Sequence, residues 1–164
     1  MSTSRAQYGT LETVNVTLNG PLSAGAARES DPIDNSENGF LDAELLVSLT
    51  LEGDTPADLE QVIVYAVPSP DGVTWPTPLA GVNAAVSLTA GDPALGHRLG
   101  HLETPSAGAG SPPTQTLVGH WRTLLAYDGA LALAPFVAIV VENRSGMDIT
   151  DGTVQILGKY IQDV

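Results

Sequence analysis

The feature that most constrains the fold is a regular alternation of apolar and polar residues between Leu41 and Leu51. The apolar side chains recur at every second position, at Leu45, Val47, Leu49 and Leu51. Because successive side chains of a β-strand point to opposite faces of a sheet, this spacing predicts a strand. One face of that strand is buried and the other, which carries Ser48 and Thr50, is solvated.

A second strand is predicted over residues 61–67, which are apolar on both faces, as is typical of a central strand covered on each side. A Pro-Asp-Gly turn follows at residues 70–72, because proline fixes φ and glycine accepts a positive φ. The chain then resumes as a short strand that ends at Trp75 and Pro76. Together these residues predict a strand–turn–strand unit.

Further strand-like segments are separated by turn residues, and they cover residues 11–18, 82–89, 97–104, 115–127, 136–141 and 153–161. Asp128 and Gly129 indicate a hairpin between the strands on either side of them, and a single helical turn is expected after Thr55. With about eight short strands and no long helix, the chain is predicted to be all-β, an antiparallel β-sandwich of jelly-roll type. An immunoglobulin-like sandwich is the alternative.

Residues 1–10 are polar and are expected to form a flexible N-terminal arm, while residues 11–164 form a single β-sandwich domain. Within that domain, residues 20–40 are dominated by Gly, Pro, Ser, Asn and Asp and show no periodicity. A long loop is therefore predicted there. It is either a contact with a neighbouring subunit or a plain surface loop.

The chain carries 19 acidic and 6 basic residues, for a net charge of −13. Binding to nucleic acid or to an anionic membrane needs clustered cations, so neither partner is expected. Charged residues make up 15% of the chain, against about 25% in an average soluble domain. That composition suits either a protein packed against neighbours or an ordinary Thr/Ser-rich β protein. No apolar leader is visible, so synthesis in a cytoplasm is expected.

No catalytic or cofactor motif is found, and the chain is predicted to be neither an enzyme nor a cofactor protein. The absence of cysteine excludes thiolate catalysis and Cys-ligated metals. The best metal candidates are His97, His101 and His120, of which the first two share a strand face with Glu103. Cupin jelly rolls use a His-x-His motif followed by Glu, from which this spacing departs. Solvated or core-edge histidines are favoured, and no metal site is predicted.

Large aromatic side chains leave one alternative function open, and they are Tyr65, Trp75, Trp121 and Tyr127. On one exposed face they would stack on sugars, as in a carbohydrate-binding module. Because aromatics make up only 5% of the chain, we expect them to be used as core anchors instead.

The residues Ser69-Pro70-Asp71-Gly72-Val73-Thr74-Trp75 resemble a hairpin of small β-sandwich virion proteins in tailed bacteriophages. In those proteins a strand leads into an SxDGxxW sequence or a close variant. The whole chain, which is short, acidic, cysteine-free and rich in Thr, Ala and Gly, is similar to phage capsid decoration (cement) proteins. The motif itself covers only a short part of the chain.

This resemblance implies a jelly-roll or β-tulip homotrimer on the outer surface of the virion capsid, made in the host cytoplasm. It would stabilise the shell by bridging major capsid subunits, without catalysis. Contacts would come from the N-terminal arm and the 20–40 loop, with Arg5, Gln7, Tyr8, Arg28 and Phe40 as candidate residues. A phage tail or baseplate protein is the nearest alternative.

Overall fold

A computed structural model describes residues 4–37, 39–53, 61–88, 97–104, 114–124 and 133–163. The described chain is all-β. Its strands are β1 (Ser4–Thr13), β2 (Ala27–Glu29), β3 (Ile33–Asp34), β4 (Asp42–Glu52), β5 (Gln61–Ser69), β6 (Ala84–Val86), β7 (His97–Glu103), β8 (Thr114–Trp121), β9 (Phe136–Arg144) and β10 (Asp148–Asp163). Within these ranges, no helix has the length and apolar character required to cross a membrane.

The strands form two antiparallel sheets, in the orders β1-β10-β4-β8 and β6-β2-β9-β5-β7, with β3 paired to β9. The pairs are nested along the chain: β1 pairs with β10, β2 with β9, β4 with β8, and β5 with β7. A long hairpin of nested pairs, wrapped into two facing sheets, is a jelly roll. The predicted antiparallel jelly-roll sandwich is therefore confirmed, and the short strands β3 and β6 are additions to its eight main strands.

The main core lies between the two sheets and is made of aliphatic side chains. In β4, Leu45, Val47 and Leu49 all have an exposed fraction of 0%. The facing sheet contributes alternate residues of β5 and β9, including Val64 and Ile139. The alternation seen between Leu41 and Leu51 thus corresponds to one face packed in the core.

A second, smaller core lies on the outer face of the six-stranded sheet. Val67 and Val140 project outwards from β5 and β9 and pack with Leu79 and Trp75 from the segment 70–83. That segment folds back over the sheet instead of continuing as a strand. This cover explains why β5 is apolar on both faces, as predicted for a central strand.

The segment 70–83 is held in place by hydrogen bonds rather than by strand pairing, so the predicted short strand ending at Trp75 is wrong. Asp71 Oδ1 accepts hydrogen bonds from the amides of Val73 and Thr74, at 2.9 and 2.7 Å. The Trp75 indole donates to the carbonyl of Gly72 at 3.0 Å. Gly72 has φ 71°, the left-handed conformation expected for the glycine of this turn.

The N-terminal residues differ from the sequence expectation. β1 begins at Ser4 and residues 4–8 pair with β10, whereas residues 1–10 were predicted to form a flexible arm. The predicted strand over residues 11–18 ends at Thr13. Pairing with β10 satisfies the backbone N–H and C=O groups of β1 whatever its side chains are. Its sequence therefore needs no strand-like alternation.

The segment 20–40 contains β2 and β3 and is fixed by buried polar groups, so it is not simply a long loop. The buried amide of Asn35 donates to the carbonyl of Phe40 at 3.0 Å and accepts from its amide at 2.8 Å. Ser30 Oγ accepts from the amide of Ile139 at 2.9 Å. Such contacts leave no periodic pattern in the sequence.

The predicted hairpin between residues 115–127 and 136–141 is wrong. β8 pairs with β4 in one sheet, and β9 pairs with β5 in the other, so the chain between them crosses from sheet to sheet. The expected turn at Asp128-Gly129 and the helical turn after Thr55 lie outside the described residues.

We expect Glu29→Gln to destabilise the fold by about 1–3 kcal/mol. The substitution replaces one of two buried carboxylate oxygens, both of which accept hydrogen bonds, by an amide NH2 group that can only donate. The Glu29 carboxylate is 1% exposed and accepts from the amides of Ala80 and Gly81, with Oε1 and Oε2 at 3.0–3.3 Å. Urea unfolding would measure the change. Glu12→Gln, at an exposed position of β1, is the control. Equal stability of the two variants would contradict this role for Glu29.

Candidate functional site

The most distinctive surface is the outer face of the four-stranded sheet. Odd-numbered residues of β4 point into the core, so its even-numbered residues point outwards. The register aligns Leu46 with Gln155, Glu44 with Leu157, and Asp42 with Lys159. Large apolar side chains on this outer face, called here the apolar face, are Tyr8, Leu11, Leu46, Val118, Leu157 and Ile161.

Several of these side chains are unusually exposed for apolar residues. Tyr8 is 58% exposed, Leu11 51%, Val118 63% and Ile161 58%. Between them lies a shallow groove of about 280 Å³, lined by Leu11, Glu44, Leu46, His120 and Leu157. The face therefore carries both protruding side chains and a concavity, and contiguous exposed apolar surface marks interaction sites.

Four titratable groups beside the groove of the apolar face contact one another, and they are Asp42, Glu44, His120 and Lys159. Lys159 Nζ lies 3.4 Å from Asp42 Oδ2 and 3.3 Å from Glu44 Oε1. His120 Nε2 lies 2.8 Å from Glu44 Oε2. The hydrogen bond from His120, helped by Lys159, holds the pKa of Glu44 below its ordinary value. Each carboxylate beside the groove thus has a lysine or histidine partner, although the chain as a whole is strongly acidic.

Strands β1 and β10, which bear much of this face, extend beyond the rest of the sheet. β4 begins at Asp42, which pairs with Lys159, whereas residues 4–7 of β1 pair with residues 160–163 of β10. This two-stranded ribbon carries Ile161, and Tyr8 lies at its base. A two-stranded ribbon in water is marginally stable by itself.

The five residues proposed from the sequence as capsid contacts do not lie together. Tyr8 lies on the apolar face, while exposed Arg5 and half-buried Gln7 alternate with it along β1. The Arg28 guanidinium is half-buried and donates from Nε to Asn83 Oδ1 at 3.0 Å. Phe40 is half-buried, and its ring fills the space above Gly158. Arg28 and Phe40 are therefore engaged in internal contacts.

Most of the apolar face was not identified from the sequence. A usable signal was present in adjacent apolar pairs, Leu45-Leu46 and Ile156-Leu157, within otherwise alternating strands. In each pair one residue faces the core and its neighbour must face outwards. Outward leucines on neighbouring strands indicate an exposed apolar patch, which is a candidate contact surface.

A polar ring occupies the outer face of the six-stranded sheet, around Ile63, which is 2% exposed. The register places seven polar side chains around it: Gln61, Tyr65, Arg98, His101, Glu103, Glu142 and Arg144. The Tyr65 hydroxyl donates to Glu142 Oε2 at 2.8 Å, and Arg144 Nε donates to Glu142 Oε1 at 2.6 Å. On the other side, Arg98 Nη2 contacts Gln61 Oε1 at 3.1 Å and His101 Nδ1 at 3.2 Å. These bonds make the ring a polar cover over a core residue.

The histidines do not converge. His101 lies 3.3 Å from Glu103, which confirms that these two share a face, but His120 lies on the outer face of the opposite sheet. The side chain of His97 lies outside the described part of the chain. Among the side chains that are described, no group of three or more His, Asp or Glu could hold a metal ion.

The two tryptophans lie apart as well. Trp75 packs against the small core on the outer face of the six-stranded sheet, together with Tyr65. Trp121 packs at the edge of the main core, where its ring leaves no room for a Cβ at Gly100 or Gly119. They cannot form one stacking platform, and Tyr127 lies outside the described residues.

No family model, curated protein or solved structure matches this chain. The remaining grounds for inferring a function are the fold, the surface geometry and the residues of the turn at 69–75.

We expect the stability of the protein to fall between about pH 10 and about pH 12 partly through Tyr65. Burial, and then the hydrogen bond to Glu142, raise the pKa of Tyr65 to about 12, from an ordinary value of about 10. Because the folded-state pKa is the higher one, the stabilisation is complete below pH ~10 and is lost as the pH rises through the folded pKa.

Chemical unfolding at a series of alkaline pH values would measure this effect. Tyr65→Phe removes the titrating group, so its stability should decline less steeply with pH than that of the wild type. Tyr8→Phe, at an exposed tyrosine, should keep the wild-type slope. A wild-type slope in Tyr65→Phe would show that Tyr65 does not contribute.

Proposed function

We propose that this protein is a non-enzymatic structural protein of a tailed-bacteriophage virion, which binds the outer surface of the capsid and stabilises the shell by bridging major capsid subunits. The observation that carries the proposal is the apolar face, a group of exposed apolar side chains on one sheet, beside which Lys159 contacts Asp42 and Glu44. Such a surface suits contact with another protein rather than the binding of a small polar substrate.

The jelly-roll topology supports the proposal because it is the architecture that the resemblance to decoration proteins implies. Because a fold alone does not assign a function, the proposal depends mainly on the apolar face. The family also implies a homotrimer. Several copies held together would bind a repetitive shell through many contacts at once, so that individually weak contacts give a strong attachment.

The geometry of the turn at residues 69–75 agrees with a structural role. Backbone amides of Thr74 and Val73 hold the pKa of Asp71 well below its usual range, so it remains a carboxylate and is no general acid near neutral pH. Trp75, in the same segment, packs against the small core on the outer face of the six-stranded sheet. Asp71 and Trp75 therefore shape a turn and anchor it on the sheet.

A carbohydrate-binding module is the second candidate, and one observation favours it. Tyr65 and Trp75 are both half-buried and pack against the same small core, so part of each is accessible on one face. Sugars stack on such surfaces. Glycan-array binding that is lost in Trp75→Ala, with retained β-sheet circular dichroism, would favour this alternative. A phage tail or baseplate protein would use the apolar face with a different partner.

Mixing the purified protein with purified tailed-phage capsids lacking decoration tests the proposal. We expect the protein to co-sediment with the shells in a saturable, stoichiometric manner and to raise the temperature at which they disassemble. Leu11→Asp should weaken binding about tenfold or more, because it places a charge at an exposed apolar contact that would otherwise be buried.

Val73→Asp is the matched control, since Val73 is 82% exposed but lies in the segment over the other sheet. This variant should bind as the wild type does. Failure of the wild type to bind any such shell, or equal loss of binding in both variants, would count against the proposal.

A further inference from the structure

We propose that a cleft on one side of the sandwich binds an aliphatic diamine or polyamine. The cleft lies between β1 and the segment 31–34, and it has a volume of about 330 Å³. Small-molecule sites in proteins begin at about 300 Å³. Because the cleft lies on the sandwich side of β1 and not on the apolar face, this inference goes beyond the proposed function.

Glu12 supplies the carboxylate on the β1 wall of the cleft. In the register of β1 with β10 it lies opposite Ile156, whose side chain belongs to the main core. Residues directly opposite each other in an antiparallel pair share a face, so Glu12 points to the sandwich side of its sheet. It is exposed, and within the described part of the chain its carboxylate forms no hydrogen bond or ion pair. It can therefore accept hydrogen bonds from a ligand.

Asp31 and Asp34 supply carboxylates on the facing wall. The amide of Asn83 donates to Asp31 Oδ1 at 2.8 Å, and the side-chain amide of Asn15 donates to Asp31 Oδ2. These bonds hold the Asp31 carboxylate in place before a ligand arrives, which lowers the entropic cost of binding. Hydrogen bonds from the hydroxyl and the amide of Ser36 lower the pKa of Asp34 below its ordinary value, so Asp34 is ionised near neutral pH.

The balance of charge in the cleft is negative. No lysine, arginine or histidine is among the described residues that line it. Arg28 belongs to the hydrogen-bond network that holds Asp31, but its guanidinium donates to the side-chain and backbone oxygens of Asn83. Even when Arg28 is counted, Glu12 and Asp31 alone outnumber it, so the cleft attracts cations.

The floor of the cleft is apolar. Val14 and Ile156 are buried there, and Ile33 and Phe40 are half-buried against the main core. A methylene chain packs favourably on such a surface, as the stems of lysine side chains do. An ammonium group close to the Phe40 ring would gain a cation–π contact as well.

The placement of the carboxylates selects a diamine over a metal ion. Among the side chains that are described, no three His, Asp or Glu could hold a metal ion together. Glu12 and Asp31 lie instead on facing walls of the cleft, with the apolar floor between them. A ligand with an ammonium group at each end of an alkyl chain contacts both carboxylates and covers the floor, whereas a compact inorganic cation does neither.

An NMR titration of the isotope-labelled full-length protein with putrescine, an aliphatic diamine, tests this inference. At about 0.05 M NaCl we expect saturable binding with a Kd of about 1 mM or lower, and amide shifts concentrated in residues 10–15 and 31–34. Butylamine, which has the same alkyl chain but one ammonium group, should bind about tenfold more weakly. Raising NaCl to about 0.5 M should weaken putrescine binding, because salt screens the attraction. MgCl2 at equal ionic strength should compete no better than NaCl.

Glu12→Gln should weaken putrescine binding about fivefold or more, because it removes one of the two carboxylates that the ligand contacts. Glu103→Gln is the matched control, since it removes an equal charge from a side chain that is 83% exposed on the outer face of the six-stranded sheet. This variant should bind as the wild type does. Thr10→Phe, which fills the cleft without a change of charge, should also weaken binding. Dispersed amide spectra would show that the three variants keep the β fold.

Amide shifts scattered over carboxylates outside the cleft, or equal loss of affinity in Glu12→Gln and Glu103→Gln, would show that putrescine is merely a counterion of an acidic surface. Either result would overturn the inference, as would a wild-type protein that does not bind putrescine or that binds butylamine equally well. Because no shell is present in this titration, its outcome is independent of the test of the proposed function.

Discussion

The pairing of β4 with β10 is the constraint on which both the core and the candidate surface depend. The two strands run side by side from Asp42 opposite Lys159 to Glu52 opposite Asp148. Because side chains alternate between faces, this register sends Val47 and Val154 into the core and leaves Leu46 and Leu157 outside. A slip of one residue would exchange the two sets and place charged groups in the core. The same register therefore fixes the apolar core and assembles the apolar face, which is why neither can be altered independently of the other.

The six-stranded sheet differs because its central strands need cover on a second apolar face. Its central strands, β5 and β9, are apolar on both faces, and only one face is covered by the sandwich. The segment 70–83 supplies the missing cover, anchored by the Glu29 carboxylate and by the packing of Trp75. Beyond that cover, a ring of hydrogen-bonded polar side chains encloses Ile63. With its apolar residues covered by the chain itself, this sheet has less need of a partner than the four-stranded sheet.

The sequence was informative wherever a pattern was local. Alternation predicted β4, continuous hydrophobicity predicted the central strand β5, and strand spacing predicted the jelly roll. The patterns did not reveal which strands pair, because partners such as β1 and β10 lie at opposite ends of the chain. The hairpin expected between residues 115–127 and 136–141 failed for that reason. Of the contact residues expected from the sequence, Tyr8 lies on the apolar face, whereas Arg28 and Phe40 make internal contacts. The outward leucines are indicated in the sequence only by two adjacent apolar pairs.

The acidity of the chain and its apolar face are best understood together. A net charge of −13 keeps copies apart in most orientations and favours solubility while the protein is dilute. An apolar face with unpaired carboxylates would be kept apart in the same way, and one without charges would aggregate indiscriminately. Glu44 lies within contact distance of both His120 and Lys159, so the polar groups at the groove are engaged with one another.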